Sequence, residues 1–288
     1  MMKIRNFFCF PTDTIAKSLF LVLLALTAKH GQVLAKATIT RYSQGFENIP
    51  TSFHENRHAH EQRLSIIAGS WADVDIRQHD RIASALDKSL GDAVNKIEGH
   101  SGRKNDERKV YTALARMGNV RRICEIGFNG GHSASLWLWA NPEAEVVMFD
   151  LWEQEASPVG EQFLLSDEAK SLGIMNAASR LKIVKGNSLS TVTRFSAENP
   201  KTKCDLISVD GGHKHEIAIA DIAHMHNLAN PRFNTMLVDD TQCVSVWCVD
   251  AALEEHQRRG TLRKLLSISL LALDGSLSAG LSVGTYLH

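Results

Sequence analysis

The segment Cys124-Glu-Ile-Gly-Phe-Asn-Gly-Gly-His-Ser133, followed by an apolar run that ends at Asp150, decides the fold of this chain. The run 120–126 predicts a β-strand, the glycines after it predict a tight turn, and the residues from His132 onward predict a helix. A second predicted strand, 145–150, brings a carboxylate to its tip. Backbone N–H groups at such a turn can approach a polar ligand closely, and an acid on the next strand can bind a ribose. The pattern therefore predicts a pocket for a cofactor that contains a nucleoside.

The glycine spacing indicates which cofactor. A dinucleotide site needs G-x-G-x-x-G, so that the backbone can approach a pyrophosphate. The residue two positions after Gly127 is Asn129 rather than glycine, which makes a pyrophosphate the less suitable ligand. The E-x-G-x-x-x-G pattern instead resembles motif I of the class I S-adenosylmethionine (SAM) methyltransferases.

This resemblance implies SAM as the cofactor and assigns roles to particular residues. It places Gly127, Asn129, Gly131 and Ser133 around the amino-acid end of SAM, Glu125 as a brace of the turn, and Asp150 on the ribose hydroxyls. In the same family the turn after the third strand contacts adenine, which makes Gly186, Asn187 and Ser188 further candidates. The alternatives are a strand–turn–helix without a ligand and a plain strand-end turn.

Strands alternate with helical stretches along the rest of the chain. The further strands are predicted at 181–185, 204–210 and 235–239, followed by an antiparallel pair at 263–273 and 281–287 around Asp274-Gly275. This alternation predicts an α/β fold with a doubly wound, mostly parallel seven-stranded sheet, an antiparallel last strand and N-terminal helices. Ligands of such sheets bind at the carboxyl ends of the strands.

Two of these strands end in carboxylates, Asp210 and the pair Asp239-Asp240. Three acids that meet at one edge of a sheet repel each other unless they share a cation, and hard oxygen ligands suit Mg²⁺. We therefore expect a divalent-metal site, with Asp210 also a candidate contact of the cofactor. As an alternative, Asp240 caps a following helix.

His213 lies three residues after Asp210, where a histidine can take the proton of a metal-held hydroxyl. The D-x-x-H arrangement resembles that of the metal-dependent sugar O-methyltransferases of macrolide biosynthesis, which implies the three acids as ligands and His213 as the base. His215 is the alternative base. The resemblance covers about residues 105–288. The sequence departs from the family's pattern at 230–234, before the fifth strand, and directly after Asp240. These departures affect the expected metal affinity and the expected substrate.

The N-terminal region contains basic residues, a short apolar core over 19–28 and a V-x-A site ending at Ala35. A spanning helix needs about 20 apolar residues, so residues 1–35 are predicted to be a secretory signal peptide, with a signal anchor or an organelle transit sequence as alternatives. Residues 36–104 form a polar lead-in followed by helices, and residues 105–288 form the methyltransferase domain. His54-Glu-Asn-Arg-His58 matches H-E-x-x-H, but its polar flanks favour exposed histidines over a zinc site.

Composition excludes some classes of partner. The 288 residues contain 32 Lys plus Arg and 32 Asp plus Glu, which gives no electrostatic basis for nucleic-acid binding. The cysteines other than Cys9 are scattered and match no zinc spacing, so free core thiols are expected at Cys124 and elsewhere. A disulfide between Cys243 and Cys248 is left open. A membrane contact is expected only through the N-terminal segment, and a homo-oligomer is left open.

These observations predict a SAM-dependent, Mg²⁺-assisted O-methyltransferase that acts on a small hydroxylated molecule, either a sugar or a catechol-like diol. Two other classes remain as alternatives. One is a hydroxylase-type or nicotinamide-dependent enzyme on the same scaffold, and the other is a non-catalytic lumenal binding protein. The predicted location is the secretory pathway, which requires SAM to be imported from the cytosol.

Overall fold

The structure, a computed structural model, describes residues 38–41, 69–97, 101, 104–241, 248–271 and 277–288, and for residues 38–41, 269–271 and 277–279 it describes the backbone alone. The predicted signal segment, the H-E-x-x-H string, Cys9, Cys243 and the Asp274-Gly275 turn lie outside the described residues. None of the helices in the described part of the chain combines the length and apolarity needed to cross a membrane.

One eight-stranded sheet organises the chain. Its strands are β1 (Thr38–Arg41), β2 (Arg122–Ile126), β3 (Glu145–Asp150), β4 (Leu181–Lys185), β5 (Leu206–Val209), β6 (Thr235–Val238), β7 (Leu262–Leu271) and β8 (Leu277–Tyr286). The order across the sheet is β1-β7-β8-β6-β5-β2-β3-β4. Strands β2 to β6 are parallel, and β8 pairs antiparallel with both β6 and β7. The predicted seven-stranded, mostly parallel sheet with an antiparallel last strand is therefore confirmed, and β1 adds an eighth strand at the edge.

Helices connect the strands and cover both faces of the sheet. They are α1 (Arg77–Leu90), which continues into a 3₁₀ helix (Gly91–Lys96), α2 (Asn105–Ala115), α3 (His132–Ala140), α4 (Ala156–Leu164), α5 (Asp167–Ser171), α6 (Ala177–Arg180), α7 (Ser188–Glu198), α8 (His215–His226) and α9 (Asp250–Arg258). Apolar residues recur at helical spacing over 74–97 and 107–117, and these stretches contain α1 with its 3₁₀ extension and most of α2.

Two hydrophobic clusters form the core, one on each face of the sheet. Helices α1 to α4 bury the first cluster, which includes the stacked rings of Tyr111 and Trp137 with centroids 4.8 Å apart. Helices α7 to α9 bury the second, which includes Phe149 and Phe195. Strands with helices on both faces are buried on both sides, and this explains why β3, β5 and β6 are predominantly apolar.

Parallel strands bring their carboxyl ends to one edge. Position Ile126 pairs with Phe149 on β3 and with Val209 on β5, and Val209 pairs with Val238 on β6. The residues that follow these positions therefore lie beside one another. The glycine turn, Asp150, Asp210 and the Asp239-Asp240 pair all leave the sheet at this edge.

A disulfide joins Cys124 of β2 to Cys204, two residues before β5. Both cysteines are fully buried, with Cα atoms 5.9 Å apart. The expectation of free core thiols is therefore wrong for this pair. The two positions are 80 residues apart in sequence, and only the parallel pairing of β2 with β5 makes them neighbours. No local sequence spacing could have indicated the bond.

The predicted polar lead-in also needs a correction at residues 38–41. This segment is a strand, and it pairs antiparallel with β7, with Ile39 opposite Ile268. Its Thr-Ile-Thr-Arg sequence alternates apolar and polar residues with two β-branched threonines, which favours an edge strand. The strand is too short to have been distinguished from loop by periodicity alone.

Candidate cofactor and metal site

A cavity lies at the carboxyl edge of the sheet, between the glycine turn and the ends of β5 and β6. The turn and the start of α3 form one wall, and the strand-end residues Asp210, His213 and Asp240 form another. Ile97, which follows the 3₁₀ helix, and Ser101 complete the lining. The cavity thus joins the two sites that the sequence predicted separately.

Gly127 allows the turn to pass close to the end of β5. Its φ is +108°, in the region that favours glycine. A Cβ atom at this position would lie 2.0 Å from the carbonyl oxygen of Asp210. Gly131, with φ +89°, is the residue before α3 and gives the chain its left-handed entry into that helix. Gly127 lines the cavity, whereas Gly131, also predicted to contact the cofactor, does not.

Asp150 holds the glycine turn in place. Its Oδ2 atom accepts hydrogen bonds from the backbone N–H groups of Phe128 (2.9 Å) and Asn129 (3.0 Å). Its Oδ1 atom accepts one from Trp152 N–H (2.6 Å). A carboxylate has about four lone-pair sites, so these bonds leave acceptor capacity for a ribose hydroxyl. Asp150 is therefore a brace of the turn in addition to its predicted role as the ribose ligand.

Glu125 lies beneath the turn and contacts α3. Its Oε2 atom accepts hydrogen bonds from Ser133 Oγ (2.7 Å) and Trp137 Nε1 (2.9 Å). Burial raises the pKa of this carboxyl to about 7, although the hydrogen bonds from Ser133 and Trp137 oppose that shift. Ser133 also lines the cavity, whereas Glu125 does not. Glu125, which was predicted to stabilise the turn, instead binds side chains of α3. The residue that binds the backbone of the turn is Asp150.

His213, in the loop after β5, contacts Asp240, at the end of β6. His213 Nε2 lies 2.6 Å from Asp240 Oδ2. Ligand atoms of Asp210, His213 and Asp240 all lie within 4.8 Å of one another, close enough to share a metal ion. Burial, Asp239 and Glu125 raise the pKa of Asp210 well above its usual range. His215, the alternative base, is an exposed residue at the start of α8.

Asp239, the remaining predicted ligand, is only 4% exposed. Its Oδ2 atom forms an ion pair with Lys104 Nζ at 3.2 Å, and Lys104 also pairs with Glu107 at 3.0 Å. Burial and the nearby Asp239 raise the pKa of Glu107 well above its usual range. Lys104 and Glu107 belong to no motif and lie more than 100 positions before Asp239, so the sequence did not indicate them.

Asn187 and Ser188 are not among the residues that line the cavity. Asn187 caps α7, because its Oδ1 atom accepts a hydrogen bond from Leu189 N–H at 2.9 Å. Ser188 Oγ donates to Asp221 Oδ1 at 2.7 Å. Their predicted contacts with adenine remain predictions.

Asp221 is a buried acid that no motif in the sequence indicated. It is 1% exposed on α8 and joins the turn after β4 to the loop that carries His213, through Ser188 and the backbone N–H of Gly212. Burial raises its pKa to about 6, against the effect of these hydrogen bonds. An acid within the apolar run Ile-Ala-Ile-Ala-Asp-Ile is the sequence signal that could have identified it.

Comparisons with known proteins agree with this architecture. A family model described as a methyltransferase domain matches residues 124–241. This stretch contains the glycine turn, the strand-end acids and His213. No curated protein matches the sequence.

Solved structures share the fold at low sequence identity. The O-methyltransferase TomG from Streptomyces achromogenes, involved in tomaymycin synthesis and in complex with SAM, is 18% identical with a TM-score of 0.55, and the match covers 80% of this chain and 98% of that one. An O-methyltransferase from Bacillus cereus in complex with SAH is 15% identical with a TM-score of 0.54, covering 70% and 90%. The SAH-bound methyltransferase PaMTH1 from Podospora anserina is 15% identical with a TM-score of 0.53, covering 84% and 99%.

The fold is that of solved SAM methyltransferases, and residues 124–241 match the model of a methyltransferase domain.

Proposed function

We propose that this protein transfers the methyl group of SAM to a hydroxyl of a small molecule, either a sugar or a catechol-like diol, with the help of a divalent metal ion. The observation that carries this proposal is the shared cavity, in which the glycine turn faces Asp210, His213 and Asp240. A methyl donor seated on the turn would lie beside residues suited to activate a hydroxyl. When bound, SAM supplies an electrophilic methyl group to the substrate oxygen and leaves as SAH.

The residues of the turn fit the cofactor. Asp150 holds the backbone of the turn by accepting the N–H groups of Phe128 and Asn129, and Gly127 leaves no side chain between the turn and Asp210. In the proposed complex the turn holds the amino-acid end of SAM, while Asp150 accepts hydrogen bonds from the ribose. Asn187 and Ser188 lie towards the adenine.

The strand-end residues fit a divalent cation. Carboxylates are the preferred ligands of Mg²⁺, and Asp239 Oδ1 is buried without a hydrogen-bond partner among the described residues. Asp210 and Asp240 would hold the ion, with Asp239 as the third acid implied by the family resemblance. Such an ion would orient two substrate oxygens and lower the pKa of the attacking hydroxyl.

His213 is the proposed general base. If its Nε2–H donates to Asp240 Oδ2, the basic lone pair is on Nδ1, which can accept the hydroxyl proton as the oxygen–methyl bond forms. Asp240 would then orient the imidazole, as the carboxylate does in other carboxylate–histidine pairs. The bond between methyl and sulfur breaks with its electron pair on sulfur, so the transfer is balanced without a further reactant.

Methyl transfer tests this proposal directly. The full chain would be incubated with SAM labelled in its methyl group and with a panel of sugars and catechols, with Mg²⁺ or with EDTA. The expected result is a labelled methyl ether from at least one hydroxylated acceptor, formed more slowly in EDTA. Binding of SAM without transfer to any hydroxyl acceptor would contradict the proposed reaction.

We also propose that the mature protein resides in the secretory pathway. The buried Cys124–Cys204 disulfide supports this location, because structural disulfides form and persist in oxidising compartments. Sequencing the N-terminus of the protein purified from its native cells tests the proposal, with a start near residue 36 expected. An intact N-terminus on a protein recovered from the cytosol with reduced Cys124 and Cys204 would contradict it.

A further inference from the structure

Lys104 is fixed in position by the start of α2. It is the residue that precedes the helix, its N–H donates to Ser101 O at 3.0 Å, and its carbonyl accepts from Arg108 N–H at 3.0 Å. Its side chain is 27% exposed and reaches towards the end of β6. The N-terminal helical region thus contributes a cation to the carboxyl edge of the sheet.

The ammonium group lies between two buried carboxylates. Lys104 Nζ is 3.0 Å from Glu107 Oε2 and 3.2 Å from Asp239 Oδ2, and the carboxylate side chains are 1% and 3% exposed. The two ion pairs therefore place the positive charge of Lys104 directly against Glu107 and Asp239.

This charge only partly balances the acids around it. Glu107 and Asp239 contact the ammonium, and ligand atoms of Asp210 and Asp240 lie within 4.8 Å of each other at the same edge of the sheet. Asp239 Oδ1 and the hydroxyl of Tyr111 are buried without hydrogen-bond partners among the described residues. An unpartnered carboxylate oxygen beside further acids still favours a cation.

We propose that Lys104 is a built-in counter-cation that sets the divalent-cation affinity of the strand-end carboxylates. The inference rests on the metal site of the proposed function and adds a residue that the family resemblance did not assign. The ammonium contacts Asp239 directly, so it repels a divalent ion that this carboxylate would attract and weakens binding of the ion. It is a positioning residue for Asp239, acting on the site through that carboxylate.

Titration with Mn²⁺ and Mg²⁺ by calorimetry tests the inference in the wild-type full chain and in Lys104→Met and Lys104→Arg. Lys104→Met removes the charge and keeps an unbranched side chain, whereas Lys104→Arg keeps the charge. Because a unit charge a few ångströms from a ligand strongly opposes a divalent ion, Lys104→Met is expected to bind Mn²⁺ at least about tenfold more tightly. Lys104→Arg should bind Mn²⁺ like the wild type.

Thermal melting provides a second readout that does not depend on activity. Without added metal, Lys104→Met should melt at a lower temperature, because Glu107 and Asp239 lose their counter-charge. Added Mn²⁺ should raise its melting temperature more than that of the wild type. Lys96→Met is the matched control, because Lys96 pairs with Glu155 on the exposed surface, and its Mn²⁺ affinity should not change.

If Lys104→Met does not fold, the double variant Lys104→Met/Glu107→Gln removes one charge of each sign and retains Asp239. Its reference is Glu107→Gln alone, and the double variant should bind Mn²⁺ more tightly than that reference, because the two proteins differ only at Lys104. Mn²⁺ affinity that is unchanged or weaker in the folded variants, or the absence of Mn²⁺ binding in all of them, would overturn the inference. Titration with SAM in the same preparations separates this failure from that of the proposed methyl transfer, because loss of SAM binding alone would count against the latter.

Discussion

The imidazole of His213 and the carboxylate of Asp240 are in direct contact, with Nε2 and Oδ2 2.6 Å apart. The contact joins the loop after β5 to the end of β6, in a sheet where these two strands are neighbours. Asp240 has φ +52°, a left-handed conformation that aspartate tolerates better than most residues. This backbone conformation accompanies the contact of the carboxylate with His213 at the cavity.

His213→Ala is expected to lower kcat for methyl transfer by about 10²–10⁴-fold, because the hydroxyl proton loses its acceptor. Binding of SAM should change much less, since the glycine turn and Asp150 remain. The measurement is kcat with an accepted hydroxyl substrate, alongside calorimetry with SAM. His215→Ala, at an exposed position, should retain activity. The assignment is wrong if the His215 variant loses activity and the His213 variant retains it.

Gly127→Ala is expected to destabilise the fold by at least about 2 kcal/mol, because the added Cβ would overlap the Asp210 carbonyl and the backbone has a positive φ. Gly118→Ala is the matched control, since nothing lies within 4 Å of a Cβ at that exposed position. Denaturant unfolding of the two variants makes the comparison. Equal stabilities would show that the turn does not approach β5 this closely.

Loss of the Cys124–Cys204 disulfide is expected to lower the free energy of unfolding by roughly 2–5 kcal/mol, because the bond restricts a long loop in the unfolded chain. Unfolding of the wild type would be compared with that of Cys124→Ala/Cys204→Ala, each with and without reductant. The wild type should lose more stability on reduction than the double variant. Identical responses to reductant would mean that this bond does not stabilise the fold.

Stability should fall in acid because of His79, which is fully buried between α1 and α3. Its Nδ1 faces Arg108 at 3.2 Å and its Nε2 lies 3.0 Å from Ser135 Oγ. Burial, with Arg108 and His132, lowers its pKa from 6.5 to about 3. Between pH 6.5 and 3 the imidazole of His79 is therefore protonated in the unfolded chain and neutral in the folded protein. The free energy of unfolding is unaffected by this difference above pH 6.5 and decreases as pH falls through the window.

His79 should make the free energy of unfolding decrease by up to about 1.4 kcal/mol for each pH unit that the pH falls. Denaturant unfolding from pH 4 to pH 7 measures it in the wild type and in His79→Gln, which cannot titrate. The difference in stability between the two proteins should narrow as pH falls. A constant difference across the window would rule out a buried neutral His79.

Much of the fold could be predicted from the sequence, because strands buried on both faces are continuous apolar runs bounded by turn residues. The strand 145–150 has the bounds of β3, and the tail forms the predicted antiparallel pair. The glycine turn and the acids at the strand ends could also be predicted to meet, since parallel strands share one ligand edge. His213 and Asp240 are the clearest case, because their neighbourhood follows from strand order.

The parts that could not be predicted depend on contacts between distant segments. Lys104 reaches Asp239 across 135 positions, and the partner of Cys124 is set by strand pairing rather than by spacing. The bonds of Asp150 to the turn depend on the orientation of its side chain, which the sequence pattern does not specify. In each case tertiary packing decides the partner after the local structure has formed.

Calorimetric titration of the full chain with SAM, with and without Mg²⁺, tests the central claim most directly. The wild type should bind SAM with a micromolar dissociation constant, and Asp150→Ala should bind at least about tenfold more weakly, because it loses the brace of the turn and the proposed ribose ligand. Glu143→Gln, an exposed change at the opposite end of β3, should bind like the wild type. Absence of SAM binding by the folded wild type under both conditions would contradict a SAM-dependent methyltransferase.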